Sequence, residues 1–287
     1  MLLLVDLDGV VYRASEAVPG VGPVLAARAA LGDDVVYVTN NAMHYRADYL
    51  PRLAGHGAPI GPDRVVTSAS ASATWISEHM PAVRRVLSVG AGGLDRELRE
   101  AGFELVTAAH AATRMSQEGL DGWDAAGHPD AVVVGLDPQL TYLRIAAAAD
   151  CIRAGAVFVA TNRDPMYPME RGFRPGAGAI VAAIEVAAGT APAVTIGKPG
   201  PNLLEAAAHL VGADVHLAVM IGDALSDVAA GRAVGARTVL MLTGVTNRET
   251  ADGLPPEERP TRVAVDAAEL AVVLEDLAVV LADLAAG

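Results

Sequence analysis

Four short stretches bring together the residue types that phosphate chemistry uses: Asp6 with Asp8, then Thr39-Asn40-Asn41, then Lys198, then Asp223 with Asp227. Each follows a short, mainly apolar run: Leu2–Val5, Val35–Val38, Val194–Ile196 and Leu217–Ile221. Together they offer several carboxylates, one ammonium and a hydroxyl–amide loop. Oxygen ligands suit a hard cation such as Mg²⁺, which keeps some of its waters and is completed by phosphate oxygens. Lys198 and the Thr39 loop would hold the same phosphate's other oxygens. The chemistry this set supports is phosphoryl transfer, driven by positioning and charge neutralisation.

For these residues to meet, the runs before them must be neighbouring strands. Uniformly apolar runs of this length suit strands buried on both faces, as in a parallel sheet covered by helices. Helical stretches at 22–31, 45–56, 200–212 and 226–234 alternate with them, which implies an α/β sheet with right-handed crossovers. Ligands of such sheets bind beyond the carboxyl ends of the strands, where the polar stops lie. The middle of the chain repeats the theme, with strands expected at Arg85–Gly90, Ala131–Leu136 and Val157–Ala160 and helices at 93–101 and 141–154. The polar segment 107–130 reads as a loop or a poorly formed helix. The expected fold is therefore α/β: a Rossmann-like parallel-sheet core, 1–81 and 181–287, with a smaller α/β cap domain inserted at 82–180. Asn162, Asp164 and Arg171 end or follow the last insert strand, where an insert would meet substrate. The glycines of 172–178 suit a hinge or a close backbone approach. Leu270, Leu274, Leu277, Leu281 and Leu284 recur at 4,3,4,3 spacing on a last helix that should pack on its own domain.

Composition bounds the alternatives. The chain has 287 residues, 52% of them hydrophobic and 19% charged, which is ample for packed cores. With 21 Lys and Arg against 34 Asp and Glu the formal net charge is −13, which argues against nucleic acid and against anionic membranes as partners. A small phosphate ester could still bind in a locally positive pocket or beside a metal. The single Cys151 leaves no internal disulfide, and the N-terminal apolar run is too short for a secretory leader, so the expected compartment is the cytoplasm. A monomer and a homo-oligomer both stay open. Gly90-Ala91-Gly92-Gly93 lacks the third glycine spacing of a dinucleotide loop and reads as an ordinary strand–helix turn. Pro192 and Pro199 stand where a Walker loop needs Gly and Ser or Thr, and no Gly-x-Ser-x-Gly elbow exists.

Asp6-Leu7-Asp8-Gly9-Val10, Thr39-Asn40-Asn41, Gly197-Lys198-Pro199 and Gly222-Asp223 with Asp227 resemble, in order, the four motifs of the haloacid dehalogenase-like superfamily. Thr161-Asn162-Arg163-Asp164, the segment through Pro175-Gly176-Ala177-Gly178, and Leu242-Thr243-Gly244-Val245 are similar to the p-nitrophenyl-phosphatase branch, often called NagD-like. The resemblance implies that Asp6 is a nucleophile forming an aspartyl-phosphate and Asp8 the general acid and base. It implies that Asp6, the Asp8 carbonyl and Asp223 hold Mg²⁺, and that Thr39, Asn40, Asn41 and Lys198 bind phosphate. Asp227 belongs to the same metal set but stands four residues after Asp223, where the branch commonly has five. One residue fewer rotates a helical side chain by about 100°, so Asp227 is expected to hold metal waters or Lys198. Asn162, Asp164 and Arg171 would select among glycerol phosphate, phosphoglycolate, pyridoxal phosphate, sugar phosphates and nucleotides. Two other readings compete: a phospho-Asp signalling protein and a non-catalytic phosphometabolite-binding protein. The long insert argues against the first and the intact carboxylate set against the second.

Overall fold

The computed structural model describes residues 1–61, 63–119, 129–168 and 172–286. It forms two compact units: Met1–Thr39, Ala47–Val66 and Lys198–Gly287 make the first, Asn40–Arg46 and Thr67–Gly197 the second.

The first unit is built on a six-stranded sheet. Its order is Arg262–Ala264, Arg237–Met241, Ala218–Gly222, Leu2–Asp6, Asp34–Thr39, Val65–Thr67. Numbered along the chain, that is 3-2-1-4-5-6 read from the other edge, the doubly wound order. The order reverses between Leu2–Asp6 and Ala218–Gly222, which run parallel with Val5 opposite Ile221. On the other side Asp6 lies opposite Val38. Asp6, Thr39 and Asp223 thus lie within one residue of the same level at the carboxyl ends of three adjacent strands.

The expected apolar runs form the central strands because every residue of Leu2–Asp6 and Ala218–Gly222 is buried, leaving no solvent face to alternate. The last helix, Ala267–Ala286, buries Leu270, Leu274, Leu277 and Leu281 in the same core as Leu3, Val5 and Ile221, while Leu284 stays exposed. Burying those four leucine side chains stabilises the unit by about 1.5–3 kcal/mol each. Among the described residues no helix is long and apolar enough to cross a membrane.

The second unit has its own parallel sheet, ordered Val194–Thr195, Val157–Ala160, Ala131–Val134, Arg85–Val89, Glu104–Thr107. Its core is separate, built from Leu87, Val132, Phe158, Cys151 and Ile184 among others. Three features differ from the sequence reading. The insert reaches to Thr67 and Gly197 rather than 82 and 180. The run before Lys198 pairs with Val157–Ala160, so it closes the inserted sheet instead of joining the core sheet. Within 107–130, Ala108–Glu118 is a helix whose first turn is capped by the Thr107 hydroxyl, which accepts the His110 N–H; residues 120–128 lie outside the described residues. Apolar content alone does not say which sheet a two-residue strand joins, and Ala, Met and one cap suffice to bury this helix on Ala108, Ala111 and Met115. The Gly90–Gly92 turn lines a cleft of about 350 Å³ in which Arg144 donates to both oxygens of the buried Asp137, at 2.8 and 2.7 Å.

Candidate active site

The strand-end residues of the first unit converge. Asp6 is the last residue of Leu2–Asp6 and is 7% exposed. Lys198 donates to its Oδ1 and lies 2.6 Å from Asp227 Oδ1. One oxygen each from Asp6, Asp223 and Asp227 fall within 4.8 Å of one another, and all three residues are buried. Asp223 leaves the strand Ala218–Gly222 directly, as expected from its position. Asp227 sits in the first turn of the helix Leu225–Ala233, where its Oδ2 accepts the Ala224 N–H at 3.0 Å. It therefore caps the helix with one oxygen and pairs Lys198 with the other. Asp8 is exposed at the start of the turn that follows, and Thr39 is buried at the end of Asp34–Thr39.

The segment after Arg237–Met241 completes this arrangement, and side-chain chemistry in the sequence does not announce it. The Val245 N–H donates to Asp223 Oδ2 at 2.7 Å, and the Thr243 hydroxyl donates to the Gly9 carbonyl at 2.7 Å. Gly244 and Gly9 both lie against the Asp223 side chain, where neither could carry a Cβ. An added Cβ at Gly244 would lie 2.6 Å from the Asp223 Cβ, and one at Gly9, whose φ is +85°, would lie 3.0 Å from Oδ1. The signal in the sequence was Gly beside a strand end; its partner could come only from the fold.

Electrostatics follow from burial. Burial pushes the Asp6 carboxyl well above the ordinary carboxylate range, opposed by Lys198 and reinforced by Asp227 and Asp223. Asp223 is pushed up to about 6, chiefly by burial and then by Asp227, while the Val245 N–H and Lys198 pull it down. Burial acts to lower the Lys198 pKa, yet Asp227 and Asp6 outweigh it and the ammonium is held above its ordinary value. Three carboxylates facing one ammonium leave two negative charges without a partner when all are ionised. That imbalance, made wholly of oxygen donors, fits a hard divalent cation.

The other expected residues group in the second unit. The Asn40 side chain donates to Asp164 Oδ2 at 3.0 Å, and the Asn162 side chain donates to the Asn40 carbonyl at 2.7 Å. Asn41 lies beside them in the chain, its Oδ1 accepting the Met43 N–H at 2.9 Å. No helix starts at Thr39-Asn40-Asn41. Arg171 lies outside the described residues.

Known proteins resemble this chain along most of its length. Residues 3–104 match the family described as haloacid dehalogenase-like hydrolase, and residues 195–270 match a second haloacid dehalogenase-hydrolase-like family. An acid sugar phosphatase of Staphylococcus aureus is 35% identical over 86% of this chain and 88% of its own. The chain belongs to the haloacid dehalogenase-like hydrolases. With solved p-nitrophenyl phosphatases and NagD of Escherichia coli among the structures it resembles, it stands in the p-nitrophenyl-phosphatase or NagD-like branch, and it is a phosphoric monoester hydrolase. The solved p-nitrophenyl phosphatase of Archaeoglobus fulgidus superposes with a TM-score of 0.82 at 29% identity, covering 95% of this chain and 98% of that one. A glycerol phosphate phosphatase of Mycobacterium tuberculosis, solved in complex with magnesium, gives 0.78 at 33% identity over 94% of this chain and 75% of its own. The family's Rossmann-like core with an inserted α/β cap domain is the architecture described above.

Proposed function

We propose that this protein is a Mg²⁺-dependent phosphatase of small phosphate monoesters that works through an aspartyl-phosphate on Asp6. The observation that carries the reading is the buried cluster of Asp6, Lys198, Asp223 and Asp227 at the point where the core sheet reverses order. Asp6, the Asp8 carbonyl and Asp223 would hold the ion. When bound it neutralises carboxylate and phosphate charge and lets Asp6 stay ionised.

The chain's own groups do the rest. Asp6 Oδ attacks phosphorus, the ester oxygen leaves, and Asp8 supplies that oxygen with its proton. Asp8 then takes a proton from the water that attacks the acyl phosphate, releasing inorganic phosphate and regenerating Asp6. Its exposed position suits a group that must meet both leaving alcohol and water. Thr39, Asn40 and Asn41 with Lys198 bind the phosphoryl oxygens. Asp227 grips Lys198 and keeps the ammonium aimed at Asp6. We assign the choice of substrate to the inserted domain, with Asp164 and Arg171 as the residues to vary; sugar phosphates and glycerol phosphate are the classes the relatives' names favour. The lone cysteine supports a reading of the enzyme as cytoplasmic, and the net negative charge supports small molecules over nucleic acid or anionic membrane as its partners.

The test is phosphate release from a panel of such esters with Mg²⁺, repeated in chelator and with Asp6→Asn. Turnover should need the ion and should vanish in Asp6→Asn, which removes the nucleophile and hardly changes volume. An Asp6→Asn enzyme with half the wild-type rate would exclude the covalent route.

A further inference from the structure

Asn40 is held at its carbonyl and at its side chain by residues of the second unit. Its carbonyl oxygen accepts the Ser68 hydroxyl at 2.6 Å and the Asn162 amide at 2.7 Å, while its own amide donates to Asp164 Oδ2 at 3.0 Å. Asn162 is itself locked, since its Oδ1 accepts the Asp164 N–H at 3.1 Å. Asn40, Asp164 and Asn162 thus close a ring of hydrogen bonds. Ser68, fully buried, opens the helix Ser68–His79, but the capping of that helix is done by Thr67 and Ser70, whose side chains each take the other's backbone N–H at 3.0 Å. The Ser68 hydroxyl is therefore not needed as a cap. Gly197 leaves room for the ring, since a Cβ there would come 2.9 Å from the Asn162 Cβ.

Two donors on one carbonyl use both of its lone pairs and fix the plane of the peptide between Asn40 and Asn41. In a planar trans peptide the C=O and N–H point in opposite directions, so fixing the Asn40 oxygen fixes the direction of the Asn41 N–H. Hydrogen bonds at the carbonyl also polarise the amide and strengthen its N–H as a donor. We propose that Ser68 and Asn162 are positioning residues that aim the Asn41 N–H as an anion-binding donor of the phosphate loop. The inference rests on the phosphate-binding role proposed above for Thr39, Asn40 and Asn41. It moves Asn162 from choosing the leaving group to holding the group common to all substrates.

The experiment titrates ¹⁵N-labelled enzyme with Mg²⁺ and inorganic phosphate while following the Asn41 amide resonance, and measures phosphate inhibition of p-nitrophenyl phosphate hydrolysis. In wild type the Asn41 amide should shift as phosphate binds. Residues that orient a binding group typically contribute 10–100-fold, so Asn162→Ala and Ser68→Ala should raise the inhibition constant for phosphate by that factor and shrink the Asn41 shift. Asn162→Asp keeps the volume and removes the donor, so it should behave like Asn162→Ala; Ser68→Thr keeps the hydroxyl and should restore binding. A purely structural role would lower melting temperature and leave both readouts of the folded enzyme unchanged, and that result would overturn the proposal. So would phosphate inhibition in wild type without movement of the Asn41 amide. If phosphate neither inhibits wild type nor moves any residue of 39–41, the phosphate-loop reading itself fails and takes the inference with it. Should Ser68→Ala not fold, Asn162→Asp decides.

Discussion

Gly244→Ala tests whether Asp223 is placed by backbone contact. The added Cβ would stand 1.8 Å from Asp223 Oδ2, and real Cβ atoms stay beyond 3.0 Å, so 3.0 − 1.8 leaves at least 1.2 Å to be made up. Space on the Gly9 side is short as well, since a Cβ added at Gly9 would overlap the Asp223 carboxyl group. It must rotate and give up the 2.7 Å bond from the Val245 N–H, or the 242–246 segment must move and give up the Thr243–Gly9 bond. A displacement of about 1 Å in a catalytic group commonly costs about 10²-fold, which is about 2.7 kcal/mol of transition-state stabilisation. We expect Gly244→Ala to lower kcat/KM on p-nitrophenyl phosphate about 100-fold and to raise the Mg²⁺ concentration for half-maximal rate at least tenfold. The assay is a Mg²⁺ titration of the rate, with circular dichroism and melting temperature as controls for folding. A folded Gly244→Ala enzyme with wild-type Mg²⁺ dependence would refute the claim that Asp223 is a ligand held by this glycine.

Asp223→Asn and Asp227→Asn should fail differently: the first mainly in Mg²⁺ half-saturation, the second mainly in phosphate affinity and stability, since it leaves the buried Lys198 with one carboxylate. Equal Mg²⁺ shifts in the two variants would show that Asp227 is a ligand. In the second unit, Asp137→Ala strands Arg144 against a buried site and should destabilise by about 3–5 kcal/mol by urea melts, and a change below 1 kcal/mol would contradict that burial argument. Asp130 accepts the Arg84 and Arg85 N–H groups at 2.7 and 2.9 Å, and these backbone bonds hold its carboxyl below the ordinary 3.8. A depressed carboxylate pKa contributes stability above the unfolded value and loses it as pH falls through the folded one. The urea midpoint difference between wild type and Asp130→Ala, worth under about 1 kcal/mol for so exposed a group, should therefore be present at pH 7 and shrink below pH 3.8.

What the sequence made legible was governed by burial and by side-chain charge. Leu2–Asp6 and Ala218–Gly222 are uniformly buried, so their apolar runs stand out, and the acids that end them stand out with them. Ser68–His79 hides for the opposite reason. Its buried residues are Ser68, Ala69, Ser70, Ala71, Ser72, Ala73 and Ile76, and the strict Ser–Ala alternation of the first six masks the helical spacing of Ala69, Ala73 and Ile76. Ser68, Gly244 and Val245 were missed as site residues because they act through a hydroxyl on a carbonyl, a missing Cβ and a backbone N–H, none of which has a composition signature.

Asp227 shows how a spacing becomes a role. Standing four residues after Asp223, it falls in the first turn of the helix rather than before it, and its Cα–Cβ bond leans back toward the helix N-terminus. That direction carries the carboxylate over Gly222, where any Cβ would overlap its Cβ and Cγ, and onto the Ala224 N–H. The remaining oxygen then meets Lys198, which arrives from the far end of the inserted sequence. Glycine at 222 and aspartate at 227 are thus one structural decision: the first removes the atom that would block the second. Side-chain identity marked both acids as candidates, but only the backbone separates Asp223, proposed above as the ligand, from Asp227, which pairs with the lysine.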